Sequence, residues 1–160
     1  RSVMAPELEI RPAHPSDFAR LARMRHELWP ETTVEAQREA LDRLLSHTRD
    51  AAGFPYAVLL AVHKFSGEIA GWIEAGMRSH ADGCDPAHPT GYLEGWFVAE
   101  SFRRQGVGAA LVQAAEEWAR KQGCRQMASD SWLENEGSIA AHRALGYEDV
   151  SRVVNFRKNL

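Results

Sequence analysis

The sequence has only two cysteines, Cys84 and Cys124, among its 160 residues. Two thiols far apart in the chain exclude a disulfide-dense secreted scaffold, and they do not form the CxxC spacing that is typical of zinc sites. We therefore expect free thiols in a reducing, cytoplasmic environment and no bound metal.

Long hydrophobic runs and a strong charge of one sign are also absent. The apolar stretches are too short to span a bilayer, and the N-terminus has no signal-peptide core. The net charge is −3 without a basic patch, so nucleic acid is not an expected partner, whereas a cationic partner is compatible. No linker or repeat divides the chain, so we expect one domain, residues 4–160, with a single core.

Alternating and amphipathic segments follow one another in a mixed order. The predicted strands lie at 8–11, 56–64, 69–77, 91–98, 126–129 and 153–157, and the predicted helices at 16–29, 34–46, 107–122 and 136–145. Ser16 is expected to cap the first helix, which Pro30 ends. This order predicts one mixed α/β domain with strand–helix–strand crossovers in its second half.

A turn rich in arginine and glycine follows the strand at 91–98. The helix that begins there has free N–H groups and the positive end of its macrodipole at the turn. Gly106 and Gly108 allow a diphosphate to approach the backbone, and Arg103 and Arg104 add charged hydrogen-bond donors. Spacing alone leaves open a helix that merely begins with two glycines beside surface arginines.

Arg103-x-x-Gly106-x-Gly108 resembles the coenzyme A pyrophosphate loop of the GNAT N-acetyltransferase superfamily. Asn135, with His142 seven residues later and then Leu145-Gly146-Tyr147, resembles its downstream motif. The resemblance covers residues 7–158 and implies a GNAT-like domain whose central, twisted, mostly antiparallel mixed sheet is flanked by about four helices. It implies acetyl-coenzyme A as cosubstrate, held by Phe97, Val98, Arg103, Arg104, Gln105, Gly106, Val107, Gly108 and Asn135.

An ordered set of short segments resembles one group within this superfamily, the aminoglycoside 6′-N-acetyltransferases. These segments are Leu28-Trp29-Pro30, Gly83-Cys84-Asp85, Leu93-Glu94-Gly95, Cys124-Arg125, Met127-Ala128-Ser129-Asp130 and Arg152-Val153-Val154. The loop 78–82 matches less well. The resemblance implies direct acetyl transfer to the 6′-amine of an aminoglycoside in a ternary complex, which gives antibiotic resistance. It also implies a homodimer, with residues 152–158 as a contact edge.

Two acids support a cationic acceptor. Glu94 lies in the middle of an apolar strand, where an acid is unfavourable unless it is paired or faces a cleft. Asp130 ends the next strand, and ligands bind at the carboxyl ends of neighbouring strands in open α/β sheets. We expect both acids in one pocket; the alternatives are a paired structural acid for Glu94 and a helix cap for Asp130. Strict alternation would place Tyr92, Glu94 and Trp96 on one face and Leu93, Gly95 and Phe97 on the other.

The resemblance also implies roles for individual residues. Glu94 would accept the ammonium proton, the Val98 N–H would polarise the thioester carbonyl, and His142 would protonate the departing thiolate. His142 stands where many members have tyrosine, and a packed helix histidine is the alternative. The expected acceptor contacts are Trp29, Asp82, Asp85, Glu94, Asp130 and Trp132. Trp96 is a further candidate for stacking on sugar rings, although each tryptophan alone also fits a core or rim position.

Two other functions remain open at this level. The same fold would serve an acceptor such as a peptide N-terminus, a polyamine or a metabolite amine. A coenzyme A-binding module without turnover is the second alternative, because a fold does not determine a function.

Overall fold

The computed structural model describes residues 7–47, 49–50 and 52–160; residues 4–6 of the expected domain lie outside this part. The helices are α1 (Phe18–Leu28), α2 (Val34–His47), α3 (Val107–Lys121) and α4 (Glu136–Ala144). The strands are β1 (Leu8–Pro12), β2 (Ala57–His63), β3 (Ile69–Arg78), β4 (Thr90–Val98) and β5 (Met127–Ser129). All elements predicted before residue 146 are present.

The five strands form one sheet in the order β1-β2-β3-β4-β5. The first four strands are antiparallel neighbours, and β4 and β5 are parallel. The predicted mixed, mostly antiparallel sheet with four helices is therefore confirmed. The parallel pairing extends only from Gly91 and Met127 to Leu93 and Ser129, so β4 continues to Val98 without β5 beside it.

Helices cover both faces of the sheet. Leu21 of α1 and Leu41 of α2 pack with the indole of Trp72 on one face, and all three side chains are fully buried. On the other face, Leu111 and Val112 of α3 pack against Ile73, again with no exposed surface. These two layers bury the apolar residues of the sheet and fix the ends of β4 and β5 between them.

The start of α1 differs from the prediction. Ser16 is not its N-cap, because a 3-10 turn, Pro15–Asp17, precedes the helix. The carboxylate of Asp17 accepts the backbone N–H of His14 at 2.8 Å and two guanidinium nitrogens of Arg11 at 2.8 and 3.0 Å. The charged acceptor three residues after His14 is stronger than a serine hydroxyl. The hydrogen bond from Arg11 lowers the pKa of Asp17 despite partial burial.

β4 contains one residue more than β3 over their shared length. Gly95 pairs with Glu74 and Leu93 pairs with Ala75, so Glu94 has no opposite residue in β3. A bulge of this kind interrupts the alternation of side chains and re-aims the residue that it contains.

Because of the bulge, the predicted assignment of β4 side chains to two alternating faces is wrong. Leu93 and Trp96 both pack with the α3 layer. Phe97 packs with the α1 layer, and a Cβ at Gly95 would lie 2.8 Å from the indole of Trp29. Trp96 therefore points away from the face that holds Trp29 and is not placed to stack on an acceptor there.

The C-terminal residues contradict the predicted strand at 153–157. Residues 147–160 contain no helix or strand. Val153, Val154 and Phe156 are 60%, 76% and 92% exposed. A strand needs the N–H and C=O groups of a neighbour, and no strand in the described part of this chain lies beside these residues.

No helix among the described residues has the length and apolar character needed to cross a membrane.

Candidate functional site

The arginine- and glycine-rich turn borders a cavity of about 280 Å³ between β4, α3 and α4. Six of the nine predicted cofactor residues line it: Val98, Arg103, Arg104, Gly106, Val107 and Gly108. Phe97, Gln105 and Asn135 are not among its lining residues. Ala141 and Ala144 of α4, with Leu145 directly after the helix, also line the cavity.

The backbone of the turn is shaped to receive an anion. Arg104 and Gly106 have positive φ angles of 62° and 82°, and Gly106 is the N-cap of α3. The first N–H groups of α3 therefore lie at the cavity without intrahelical partners. Neither Arg103 nor Arg104 forms an ion pair among the described residues. The turn thus combines backbone donors, a positive helix end and two guanidinium groups, which suits a diphosphate.

The end of β4 presents backbone groups on its open edge. The N–H of Ala99 donates to the carbonyl of Ala70 at 2.9 Å, so the adjacent pair Val98–Gly71 is not hydrogen-bonded across the strands. The N–H and C=O of Val98 consequently point away from β3, toward the side where β5 has ended. The guanidinium Nε of Arg103 donates to that Val98 carbonyl at 2.9 Å. The Val98 N–H is left as a donor on the open edge.

Trp96 joins this cavity to α4. A Cβ at Gly108 would lie 3.0 Å from the Trp96 ring, so glycine is needed there for the indole to approach α3. The imidazole of His142 stands edge-on to the same indole, with ring centroids 5.3 Å apart. Trp96 thus belongs to the wall of the cofactor cavity.

His142 is held with a defined tautomer. Its Nδ1 lies 2.7 Å from the carbonyl oxygen of Ser138, which can only accept, so Nδ1 carries a proton. Its Nε2 lies 2.8 Å from Ser129 Oγ, and that hydroxyl is 3.4 Å from the carbonyl of Leu93. A neutral ring accepts a hydrogen bond from the Ser129 hydroxyl, whereas a charged ring donates a hydrogen bond to Ser129 Oγ. Ser129 Oγ is therefore the hydrogen-bond partner of Nε2 in either state of the ring.

The two expected acceptor acids lie in one chain of contacts. Nη2 of Arg78 is 3.1 and 3.3 Å from the two carboxylate oxygens of Glu94. The guanidinium lies 3.4 Å from the centre of the Tyr92 ring, and the Tyr92 hydroxyl donates to Asp130 at 2.8 Å. Burial and the hydrogen bond to Asp130 raise the pKa of Tyr92, so its hydroxyl stays protonated. The N-cap of α4 is Asn135, so the capping alternative for Asp130 is wrong.

Trp29 lies over β4 at Gly95, the residue after Glu94 in the strand. Its ring packs on Trp72 with centroids 5.5 Å apart, and the Arg25 guanidinium lies 4.8 Å from its centre. Arg25 also forms a buried ion pair with Glu74, whose other carboxylate oxygen accepts the Tyr56 hydroxyl at 2.7 Å. Burial raises the pKa of Glu74, while Arg25 and Tyr56 act in the opposite direction. Arg25 thus links the ring of Trp29 to the buried pair of Glu74 and Tyr56.

The remaining candidates make local contacts or are exposed. Asp82 accepts the Ser151 hydroxyl at 2.9 Å, and Asp85 accepts the backbone N–H of Ala87 at 2.9 Å. Trp132 is 80% exposed. Asn135 caps α4 by accepting the Ser138 N–H at 3.1 Å. None of these three contacts involves Glu94 or the cavity at α3.

Sequence reasoning missed three residues of the site. Arg78, the last residue of β3, begins the segment 78–82. That segment resembles the aminoglycoside 6′-N-acetyltransferases less well than the rest, and this poorer match was the available signal. Ser129 ends β5 directly before Asp130, so the rule that selected Asp130 would also have selected it. Glu74 alternates with apolar residues in a strand, and nothing local distinguishes it from a paired structural acid.

Acetyl-coenzyme A fits the residues that are present. Within the described part of the chain, the indole N–H of Trp96 and the hydroxyl of Tyr147 are buried and have no hydrogen-bond partner. Trp96 lines the cavity, so a polar ligand group that reached its buried N–H would satisfy it. The described residues contain no group of three or more His, Cys, Asp or Glu side chains that would hold a metal ion.

Comparisons of the sequence with a family pattern and with individual proteins agree on one family. The sequence pattern of the acetyltransferase (GNAT) family matches residues 21–147. The chain is 43% identical to aminoglycoside N(6′)-acetyltransferase type 1 of Klebsiella aerogenes, over 94% of this chain and 96% of that protein. It is 40% identical to the protein of the same name from Stenotrophomonas maltophilia, over 94% and 93% of the two chains.

A solved structure agrees with these relatives. It is that of AAC(6′)-Iy in complex with the bisubstrate analogue CoA-S-monomethyl-acetylneamine. It superposes with a TM-score of 0.85 at 32% identity and covers 96% of this chain and 99% of the other. The chain therefore belongs to the GNAT acetyltransferase family and, within it, to the aminoglycoside N(6′)-acetyltransferases.

Proposed function

We propose that this protein transfers the acetyl group of acetyl-coenzyme A to the 6′-amine of aminoglycoside antibiotics, directly and within a ternary complex. One observation carries the proposal: a single strand, β4, carries the partly buried acid Glu94 and, four residues further on, Val98 in the wall of the cavity at α3. The names of the relatives supply the acceptor class.

On the acceptor side, Glu94 accepts a proton from the ammonium group, directly or through a water, and orients the amine. Its bulged position supports this role, because Glu94 has no opposite residue in the register of β3 and its half-buried carboxylate is paired with the partly exposed side chain of Arg78. Asp130, with Asp82 and Asp85 in the adjoining loop, adds negative charge for the other ammonium groups. Trp29 and Trp132 offer ring faces to the sugars.

On the cofactor side, acetyl-coenzyme A supplies the acetyl group as an activated thioester. The Val98 N–H on the open edge of β4 donates toward the acyl oxygen and so polarises it. The turn with Arg103, Arg104, Gln105, Gly106, Val107 and Gly108 holds the diphosphate, and Phe97 and Asn135 flank it. When the thioester C–S bond breaks, the Ser129 hydroxyl gives its proton to the departing thiolate and takes the proton of protonated His142 Nε2, so Ser129 stays neutral and His142 is left neutral. No cysteine nucleophile takes part, and burial raises the pKa of the Cys124 thiol.

Steady-state kinetics with kanamycin test the proposal. Glu94→Gln keeps the size of the side chain and removes the base, so kcat/KM for kanamycin should fall by about 10²- to 10⁴-fold. Glu117→Gln on the exposed surface of α3 is the matched control and should behave like the wild type. NMR of the product should locate the acetyl group on the 6′-nitrogen. Wild-type kinetics in Glu94→Gln would remove the proposed base, and transfer only to unrelated amines would refute the acceptor.

We also propose that two copies associate through residues 152–158. The support is the row of exposed apolar side chains there, which have no partner strand in the described part of the chain. Burying Val153, Val154 and Phe156 against a second copy would remove this surface from water. Sedimentation velocity should give a dimer for the full chain and a shift toward monomer for Val154→Ser/Phe156→Ser. A monomeric wild type would refute the proposal.

A cytoplasmic location and a role in resistance complete the proposal. Cys84 and Cys124 are unpaired in the structure, which suits a reducing compartment, and acetyl-coenzyme A is available there. Expression in a susceptible bacterium should raise the inhibitory concentration of kanamycin, and Glu94→Gln should abolish the increase. Cell fractionation tests the location, and recovery outside the cytoplasmic fraction would contradict it.

A further inference from the structure

Arg78 pairs with Glu94, the proposed base, in a contact that the proposed acetyl transfer does not use. It is the last residue of β3, and its Nη2 contacts both carboxylate oxygens of Glu94, at 3.1 and 3.3 Å. Its guanidinium carbon lies 3.4 Å from the centre of the Tyr92 ring. Tyr92 in turn donates its hydroxyl to Asp130. The guanidinium is therefore held by a carboxylate and by an aromatic face that is hydrogen-bonded to a second carboxylate.

These are the interactions that an acceptor ammonium group would make. A carboxylate and an aromatic face together form a favourable site for an organic cation. Burial acts to lower the pKa of Arg78, yet its pKa is raised because the hydrogen bond to Glu94 and the negative charges of Glu94 and Asp130 outweigh burial. Glu94 and the Tyr92 ring thus already hold one cation, supplied by the chain itself.

We propose that Arg78 is a built-in competitor of the acceptor ammonium: it neutralises Glu94 in the free enzyme and is displaced when an aminoglycoside binds. This inference rests on the proposed function and deepens it, because it makes Arg78 a determinant of acceptor affinity. The side chain is free to leave, since it is 44% exposed and belongs to the end of a strand. Glu94 is then released for the incoming amine.

The size of the effect follows from the exposure of the pair. The side chains of Arg78 and Glu94 are 44% and 29% exposed, so solvent screens their attraction. Exposed pairs of this kind change an equilibrium by about two- to fivefold. Removing the competing cation should strengthen acceptor binding by that factor and should leave cofactor binding unchanged, because Arg78 does not line the cavity at α3.

The test compares Arg78→Gln, Arg78→Lys and the control Arg120→Gln, whose arginine lies exposed on α3. Calorimetry measures the Kd of kanamycin in the presence of coenzyme A, and kinetics give the KM values for kanamycin and acetyl-coenzyme A. Arg78→Gln should lower both the Kd and the KM for kanamycin by about two- to fivefold, with an unchanged KM for acetyl-coenzyme A. Arg78→Lys, which restores a cation, should return both values toward wild type.

Weaker kanamycin binding in Arg78→Gln would indicate a different role for Arg78. If Arg78 instead held Glu94 in place, Arg78→Gln would raise the KM for kanamycin and lower kcat, and that outcome overturns the proposal. An unchanged Kd overturns it as well. Failure of the proposed function can be told apart from failure of this inference. In the first case the wild type would bind kanamycin without acetylating it, and the difference in Kd between the wild type and Arg78→Gln would still test the role of Arg78. Absence of kanamycin binding to all variants would refute both.

Discussion

Replacing Arg25 with Met would leave the carboxylate of Glu74 buried without its cation. Glu74 is 1% exposed, and it forms an ion pair with Arg25 and accepts the Tyr56 hydroxyl. Methionine preserves the length and the apolar part of the side chain, so the change removes the charge and the hydrogen bonds while it keeps much of the packing. It also removes the donor to Gln37 at 2.8 Å. The perturbation therefore isolates the electrostatic part of this network.

Breaking a buried ion pair by removing one partner lowers the free energy of unfolding by about 3–5 kcal/mol. For a chain of this size, about 1 kcal/mol shifts Tm by about 2–4 °C, so Tm should fall by roughly 6–20 °C. The loss should depend on pH. Without Arg25, the folded-state pKa of Glu74 lies still farther above its unfolded value, since burial already raises it. Protons then favour the folded state, so the variant should be closest to wild type near pH 5 and farthest from it at pH 8.

Thermal unfolding followed by circular dichroism at several pH values provides the measurement. The control is Arg43→Met, because Arg43 pairs with Glu39 on the surface of α2, and its loss should change stability by no more than about 0.5 kcal/mol. The double variant Arg25→Met/Glu74→Leu should be less destabilised than the sum of the single changes, by about 2 kcal/mol. A loss below about 1 kcal/mol in Arg25→Met, or additive single changes, would refute the reasoning.

Two further predictions concern the proton path and the start of α1. His142→Phe and Ser129→Ala should each lower kcat by about 10²-fold with an unchanged KM for acetyl-coenzyme A. The double variant should lose no more, because both changes interrupt the same proton path. An unchanged kcat in either single variant would contradict this path. Asp17→Asn should lower the free energy of unfolding at pH 7 by about 1.5–3 kcal/mol. Because the pKa of Asp17 is lower in the folded protein than in the unfolded chain, this difference should shrink as pH falls below about 4, and a pH-independent difference in denaturant titrations would disprove the assignment.

The sequence predicted the fold well where short-range patterns determine it. The helix predicted at 107–122 is present as α3, and its residues Val107, Leu111 and Ala115 are buried. The left-handed Gly106 at the start of α3 was predicted as a glycine beside an anion site, and it is the N-cap there. Local patterns suffice here because each signal lies within one turn of the residue that it positions.

Other features depend on a neighbour that the sequence does not reveal. The bulge at Glu94 is defined by pairing with β3, so alternation along β4 alone gave the wrong faces for Trp96 and Phe97. The strand expected at 153–157 has suitable residues but no partner strand in the described chain. Arg78 lies 16 positions before Glu94, and their contact follows from the antiparallel register of β3 and β4. Pairing between distant segments sets all three features.

The bulge at Glu94 also makes β4 respond differently to a deletion and to a substitution. A strand residue that is deleted or inserted rotates every following side chain to the other face, in the manner of a frameshift. Here the extra residue is Glu94 itself, and Trp96 and Val98 of the cavity wall follow it in the strand. Deleting Glu94 would therefore exchange the orientations of Trp96 and Phe97 as well as remove the proposed base, whereas substitutions before Glu94 leave the orientation of the cavity wall unchanged.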